Sequence, residues 1–343
     1  MSGLRIFDSV CGWLFVVRCN EIRLSSFNCH SQQTTNNKLQ MSDLLKRLLP
    51  LVLENKSLNE NGIRMLQKVH ADIKRKPKGR TDEEWFVLGY YALQVGQYDE
   101  AVTSFSEAIF ENEEFEAAFR FRATAYMENK SFAEASKDLD EALRIDPSYT
   151  DAQYERIRLL YEMDKDQEAA TAAREFTDSN PDHANAFALL GSILEKSGQY
   201  TESIPAFDNA IALDADNGLF HTQRGLAHYF GGQPELALND LLKAQSLTGA
   251  NQVTHFNLAL IYGELPGQTR EAFRYFERAF KKDPNMLKQF SGSANPTEAK
   301  RLLGKLKGIV DRLATETDSA GKFYRDELSA LLKRKLAETA TPV

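Results

Sequence analysis

Long apolar runs are missing from this chain of 343 residues. No stretch approaches the roughly 18 apolar residues that a membrane-spanning helix needs, so no span is expected. Cysteine is nearly missing too. Cys11, Cys19 and Cys29 are the whole set, all close to the N-terminus. An odd, clustered set builds no disulfide framework and leaves the rest of the chain without thiol chemistry, which fits a reducing compartment. Positive charge is not in excess, since the net charge is -7. That removes the basic field which general nucleic-acid binding relies on. Neither a Gly-x-x-x-x-Gly-Lys-Ser/Thr phosphate loop nor a Gly-x-Ser-x-Gly elbow occurs, so no nucleotide cofactor and no esterase-type chemistry is expected. What remains is 42% hydrophobic and 27% charged, the balance of a folded chain in solution. The cytoplasm is the expected location.

Residues 1–40 stand apart, with a short apolar run at Val10–Val17 followed by Ser, Gln, Thr and Asn. They read as a disordered or non-native extension, translation then beginning at Met41; the alternative is a targeting segment. Residues 41–81 read as two N-terminal capping helices and a basic linker. Leu44, Leu45, Leu48, Leu49, Val52 and Leu53 form the first stripe, which Pro50 is expected to bend or split. Ile63, Leu66, Val69 and Ile73 form the second. Lys74–Arg80 is a basic run whose default reading is a solvated loop.

From Asp82 a pattern of large and small residues returns every 34 residues. In a frame starting at Asp82, position 8 holds Gly89, Ala123, Ile157, Gly191, Gly225 and Ala259. Position 20 holds Ala101, Ala135, Ala169, Ser203, Ala237 and, after one inserted residue, Ala272. Small residues there let two helices of a unit approach closely, and aromatics such as Phe105, Phe119, Phe207 and Phe276 fill the space between units. The unit from Thr150 departs furthest, with Arg156 and Ile157 at positions 7 and 8. A 34-residue helix-turn-helix period signals stacked units, none of which buries its apolar face alone.

This pattern resembles the tetratricopeptide repeat (TPR) family, which places Leu at position 7, small residues at 8 and 20, an aromatic at 24 and Ala at 27. The resemblance implies an all-α fold, a right-handed superhelix or α-solenoid of about six repeats over residues 82–284. The repeats are 82–115, 116–149, 150–183, 184–217, 218–251 and 252–284, and residues 285–343 form C-terminal capping helices. In the family, positions 2, 5, 6, 9, 12 and 13 of the first helix of each unit line a concave groove. That implies a partner-binding surface at Phe86, Tyr90, Arg120, Phe121, Thr124, Met127, Tyr154, Arg158 and Tyr161, where aromatics supply area and arginine forks carboxylates. Further along it implies Asn185, Ser192, Glu195, Lys196, Thr222, Gln223, Tyr229, Phe256 and Asn257. The alternative packs some of these aromatics against the neighbouring helix or against a capping helix folded into the groove. The Lys/Asn/Arg clamp by which some family members hold chaperone tails is not reproduced in any three consecutive repeats.

The implied function is a non-catalytic scaffold or adaptor that binds a peptide or helix of a partner protein and assembles a complex. A homo-oligomeric, self-assembling structural protein is the alternative. An enzyme or metal protein built on His221, His228 and His255 is the third reading. Those histidines occupy positions 4, 11 and 4 of the pattern, where core residues are expected, so no metal and no catalytic residue is assigned.

Overall fold

The structure is a computed structural model that describes residues 41–53, 58–76, 78–249, 251–283, 296–315 and 322–339. The expected N-terminal extension lies outside the described residues, as do residues 285–295 of the expected C-terminal caps. Every regular element among the described residues is a helix. They are α1 (Met41–Leu53), α2 (Glu60–Lys74), α3 (Asp82–Gln94), α4 (Tyr98–Glu111), α5 (Glu116–Glu128), α6 (Phe132–Ile145) and α7 (Thr150–Glu162). Then come α8 (Asp166–Ser179), α9 (Ala184–Lys196), α10 (Tyr200–Leu213), α11 (Gly218–Phe230), α12 (Pro234–Thr248), α13 (Gln252–Glu264) and α14 (Thr269–Lys282). The last two are α15 (Pro296–Thr315) and α16 (Lys322–Thr339). The chain divides into two compact units between Lys165 and Asp166. The division falls inside the repeat whose sequence departs furthest from the pattern.

In the N-terminal unit, α3 pairs with α4 and α5 with α6, and each pair packs on the next helix in line. Helices α1 and α2 pair likewise, and both touch α3, so they stack as one more hairpin at the head of the series. The helix α1 runs through Pro50, which lies exposed, rather than splitting there. The start of α3 is fixed by a capping box: Glu84 N donates to Thr81 Oγ1 at 3.2 Å and Thr81 N donates to Glu84 Oε2 at 3.1 Å. In the C-terminal unit, α9 pairs with α10, α11 with α12 and α13 with α14, while α16 packs against both α14 and α15.

The close approach foreseen at position 8 is observed in both units. A Cβ on Gly89 would lie 2.8 Å from the Phe105 ring, and one on Gly191 would lie 2.7 Å from the Phe207 ring. Each of the six repeats turns through one residue of positive φ. Gly96, Gly198, Gly232 and Gly267 supply four of these turns, and Lys130 (φ 61) and Asp164 (φ 58) occupy the same place in the second and third repeats. Position 7 holds a feature that the family's usual Leu hides. Arg122 donates from Nε and Nη2 to Asp138 at 2.8 and 2.7 Å and from Nη1 to Ser106 at 3.0 Å. Arg224 repeats the arrangement with Asp240 at 2.8 and 2.6 Å and Asp208 at 2.7 Å. Burial pushes the Asp138 carboxyl above its usual range, against the pull of Arg122.

Candidate functional site

The inner face of the N-terminal unit is carried by α3, α5 and α7. On α3, Phe86 is fully buried and Tyr90 nearly so. On α5, Phe121 packs edge-on to Phe86 and Tyr90, with ring centroids 5.3 and 5.5 Å apart, and stacks on Phe105 at 5.9 Å. Phe86, Tyr90 and Phe121 belong to one core that also takes in Leu44, Leu48 and Val52 of α1. Met127 and Tyr161 are buried as well. Only Thr124 and Tyr154 of the expected lining are half-exposed. Seven of the nine side chains expected to line the groove are thus buried in this structure. Large rings at positions 5, 6 and 9 of adjacent first helices meet one another and fill the space between them.

The two arginines are also engaged within the protein. Arg120 is 1% exposed. Its Nε donates to the Tyr149 hydroxyl at 2.8 Å, and its guanidinium lies over the Phe121 ring at 3.8 Å. One arm, Nη2, has no hydrogen-bond partner; Asp151 Oδ2 stands 3.6 Å from it. Arg158 Nη1 donates to Glu155 Oε2 at 2.6 Å. Burial works against the charge of Arg158, but Glu155, Tyr154 and Glu128 together raise its pKa above the ordinary guanidinium value. Burial pushes the Tyr90 and Tyr149 phenols up, opposed by Arg120. Part of the basic linker is likewise structural. Lys76 Nζ pairs with Glu84 at 2.7 Å, and Arg80 lies 4.7 Å over the Trp85 ring.

In the C-terminal unit the inner face has another character. Ser192, Glu195, Gln223 and Asn257 are buried polar side chains on α9, α11 and α13. Gln223 Nε2 donates to Ser192 Oγ at 2.9 Å, and Ser192 Oγ donates to the Ala188 carbonyl at 2.8 Å. Neither side-chain amide atom of Asn257 has a hydrogen-bond partner. Tyr229 donates to Glu264 Oε1 at 3.2 Å. The helix α15 meets this face. Lys305 Nζ lies 3.4 Å from Glu264 Oε1 and 4.8 Å from the Tyr229 ring centre, and Arg312 Nη1 donates to the Glu264 carbonyl at 3.2 Å. Its Leu302, Leu306, Ile309 and Val310 join a buried cluster with Leu226, Tyr229, Phe256 and Leu260. A capping helix folded into the groove was the alternative weighed for the first three repeats; its seat over the last two was not foreseen. The signal was Gly263 at position 12, where other repeats hold Leu93, Met127, Tyr161, Glu195 and Tyr229. A Cβ on Gly263 would lie 2.8 Å from Ile309 Cδ1.

His221, His228 and His255 make their contacts within the fold. His221 has Asp240 Oδ1 at 3.3 Å from Nδ1 and the Ala215 carbonyl at 3.0 Å from Nε2. His228 Nδ1 lies 2.7 Å from Gln233 Oε1. His255 packs beside Tyr275 with ring centres 5.8 Å apart, and burial lowers its pKa, helped by Lys282 and Arg278. Among the described residues no group of three or more His, Cys, Asp or Glu is placed to hold a metal ion. No helix among them is long and apolar enough to cross a membrane.

Three comparisons bear on this arrangement. The family model described as tetratricopeptide repeat matches residues 86–150, 154–218 and 189–252. Tetratricopeptide repeat protein 6 of Homo sapiens is 28% identical over 197 residues, which is 56% of this chain and 37% of that protein. The chain thus spans little more than a third of that relative's length. Among solved structures, the anaphase-promoting complex hetero-tetramer Cut9–Hcn1 superposes with a TM-score of 0.57 at 16% identity, over 73% of this chain and 47% of that one. Pseudomonas aeruginosa PilF superposes with a TM-score of 0.54 at 15% identity, over 65% of this chain and 97% of that one. At such identities the likeness shows the fold, an α-solenoid.

Proposed function

Because the chain is a tetratricopeptide-repeat protein, and so a protein-interaction scaffold, we propose that its N-terminal unit holds an extended or helical segment of a partner protein and brings that partner into a larger assembly. The segment lies along α5 and α7, over Thr124 and Tyr154. The observation that carries this reading is Arg120 Nη2, a buried donor with no hydrogen-bond partner, which the Asp151 carboxylate approaches only to 3.6 Å. A donor left short of a hydrogen bond is costly, and a carboxylate or carbonyl from a partner segment that enters beside Asp151 is the chemistry that completes it. Tyr154 adds a half-exposed ring with a polar tip, suited to an interface.

The test uses residues 41–343 as bait in native extract, beside the Thr124→Arg/Tyr154→Ala variant, with mass measured by light scattering. Both substitutions fall on half-exposed side chains, so helicity is expected to be kept. Loss of a partner from the variant supports the reading. A partner held equally by both moves the site elsewhere. No partner, together with a mass that rises with concentration, favours self-assembly in place of partner binding.

A further inference from the structure

Repeat position 12 closes the inner face with a large or long side chain in every repeat except the last, where Gly263 leaves a notch. Ile309 of α15 fills that notch. On either side of it, Lys305 and Arg312 reach Glu264, the last residue of α13, one at its carboxylate and one at its carbonyl. A helix C-terminus favours cations, so both contacts also answer the dipole of α13. Among its described side chains, α15 buries one edge, which α16 also helps to cover. Leu302, Leu306, Ile309 and Val310 are buried while Gly304, Lys307, Gly308 and Asp311 are exposed. Nor does α15 stack on the end of the array as the next hairpin would. It is α16 that packs on α14, with Lys335 over the Phe280 ring at 5.5 Å, whereas α15 rests on α13 and reaches Tyr229 of α11.

We propose that repeats 5 and 6 form a helix-binding groove whose resident ligand is α15, and that an amphipathic basic helix of a partner binds there by taking its place. The recognised pattern is the one α15 displays: apolar residues at i, i+4 and i+7 (Leu302, Leu306, Ile309), with a cation at i+3 (Lys305) to meet Glu264 and Tyr229. Spacing of this kind is how a helix presents one apolar edge to a groove. The proposal rests on the reading of the repeats as a scaffold, but it concerns a surface separate from Thr124 and Tyr154.

The probe is a labelled synthetic peptide of residues 296–315, titrated into the full chain and followed by fluorescence anisotropy. If α15 occupies the groove in about nine molecules of ten or more, releasing it strengthens apparent peptide affinity about tenfold or more. Leu306→Glu/Ile309→Glu in the chain is expected to give that gain. Adding Glu264→Lys is expected to remove the gain, and a peptide carrying Lys305→Glu to recover it. Equal affinity of the peptide for wild type and the double variant, with helicity retained, overturns the proposal. Lys305→Glu in the chain alters only a rim residue and keeps the test open if the double variant does not fold; unchanged peptide affinity there also overturns it. Thr124→Arg is expected to leave every one of these titrations unmoved. A native partner that needs Thr124 and leaves hydrogen exchange over residues 302–312 unchanged would sink this groove while the scaffold reading stands.

Discussion

The same repeat closes its inner face in two ways. In the N-terminal unit the side chains of the repeats do it themselves: Phe86, Tyr90, Phe121 and Arg120 interlock between first helices and are nearly inaccessible. In the C-terminal unit the corresponding stretch holds Ser192, Gln223, Asn257 and Gly263, and a helix from outside the repeats covers the last of them. Backbone and period are shared, so the difference lies in side-chain volume at a few inner positions. Large rings seal the face; small and polar residues leave it to be filled by something else. A face of the second kind is the more informative about ligands, because its present occupant displays a chemistry that fits.

The comparison breaks most sharply at the charged pairs behind both faces. Arg122→Leu installs the residue that the family usually carries at position 7 but leaves Asp138 buried with no partner, and is expected to cost about 3–5 kcal/mol in denaturant unfolding. The sign with pH is definite. Burial already raises the Asp138 pKa, and without Arg122 its ionised form is worse off still, so the loss is greatest at neutral pH and shrinks as pH falls and the carboxyl protonates. Arg122→Leu with Asp138→Leu is expected to recover most of the loss, since a matched apolar pair can replace a buried ion pair. A double variant as unstable as the single would show that the pair does more than satisfy itself.

Next in size is the self-sealed face. Phe121 touches Phe86, Tyr90 and Phe105 and carries the Arg120 guanidinium. Phe121→Ala is expected to cost about 3–5 kcal/mol through the cavity it leaves. A loss of less than about 1 kcal/mol would mean that the face is not closed by its own rings.

The C-terminal face is tested from the opposite side, by adding volume. Gly263→Tyr imports the residue that stands at the same repeat position in Tyr161 and Tyr229. It fills the notch taken by Ile309 and is expected to cost about 1–3 kcal/mol by overpacking. Hydrogen exchange should quicken over residues 302–312 and stay as before in α9 and α10. Uniform quickening throughout the unit would instead make α15 an inseparable part of the core.

The helical hairpins, their phase and the tight spots at Gly89 and Gly191 were legible in the sequence because they repeat. A 34-residue period samples the same physical constraint six times, so one odd residue does not mask it. Accessibility at the inner face was not legible. Position within a repeat says which way Phe86 or Phe121 points, but whether it meets solvent depends on the size of the side chains one repeat away. The Arg122–Asp138 and Arg224–Asp240 pairs escaped for a related reason. Each joins positions 7 and 23 on different helices, and the pattern expects an apolar contact there. The seat of α15 was written in a single residue, Gly263, whose meaning emerges only beside the larger residues at position 12 in the other repeats.

The smallest effect concerns the turns, which are alike in both units in shape but not in residue. The C-terminal unit turns through Gly198, Gly232 and Gly267, and the N-terminal unit turns through Lys130 and Asp164 as well as Gly96. A side chain in the left-handed region crowds the following carbonyl, whereas glycine adopts it without that penalty. Asp164→Gly is therefore expected to stabilise the fold, and the gain is reduced by the extra freedom glycine brings to the unfolded chain. The net is about 0.5 kcal/mol, from opposing terms of about 1–2 and 0.5–1 kcal/mol. Denaturant midpoints of the variant and wild type, compared at equal slope, measure it. A loss of stability would show that the Asp164 carboxylate makes a contact worth more than the strain, and that the third repeat keeps a non-glycine turn for that contact.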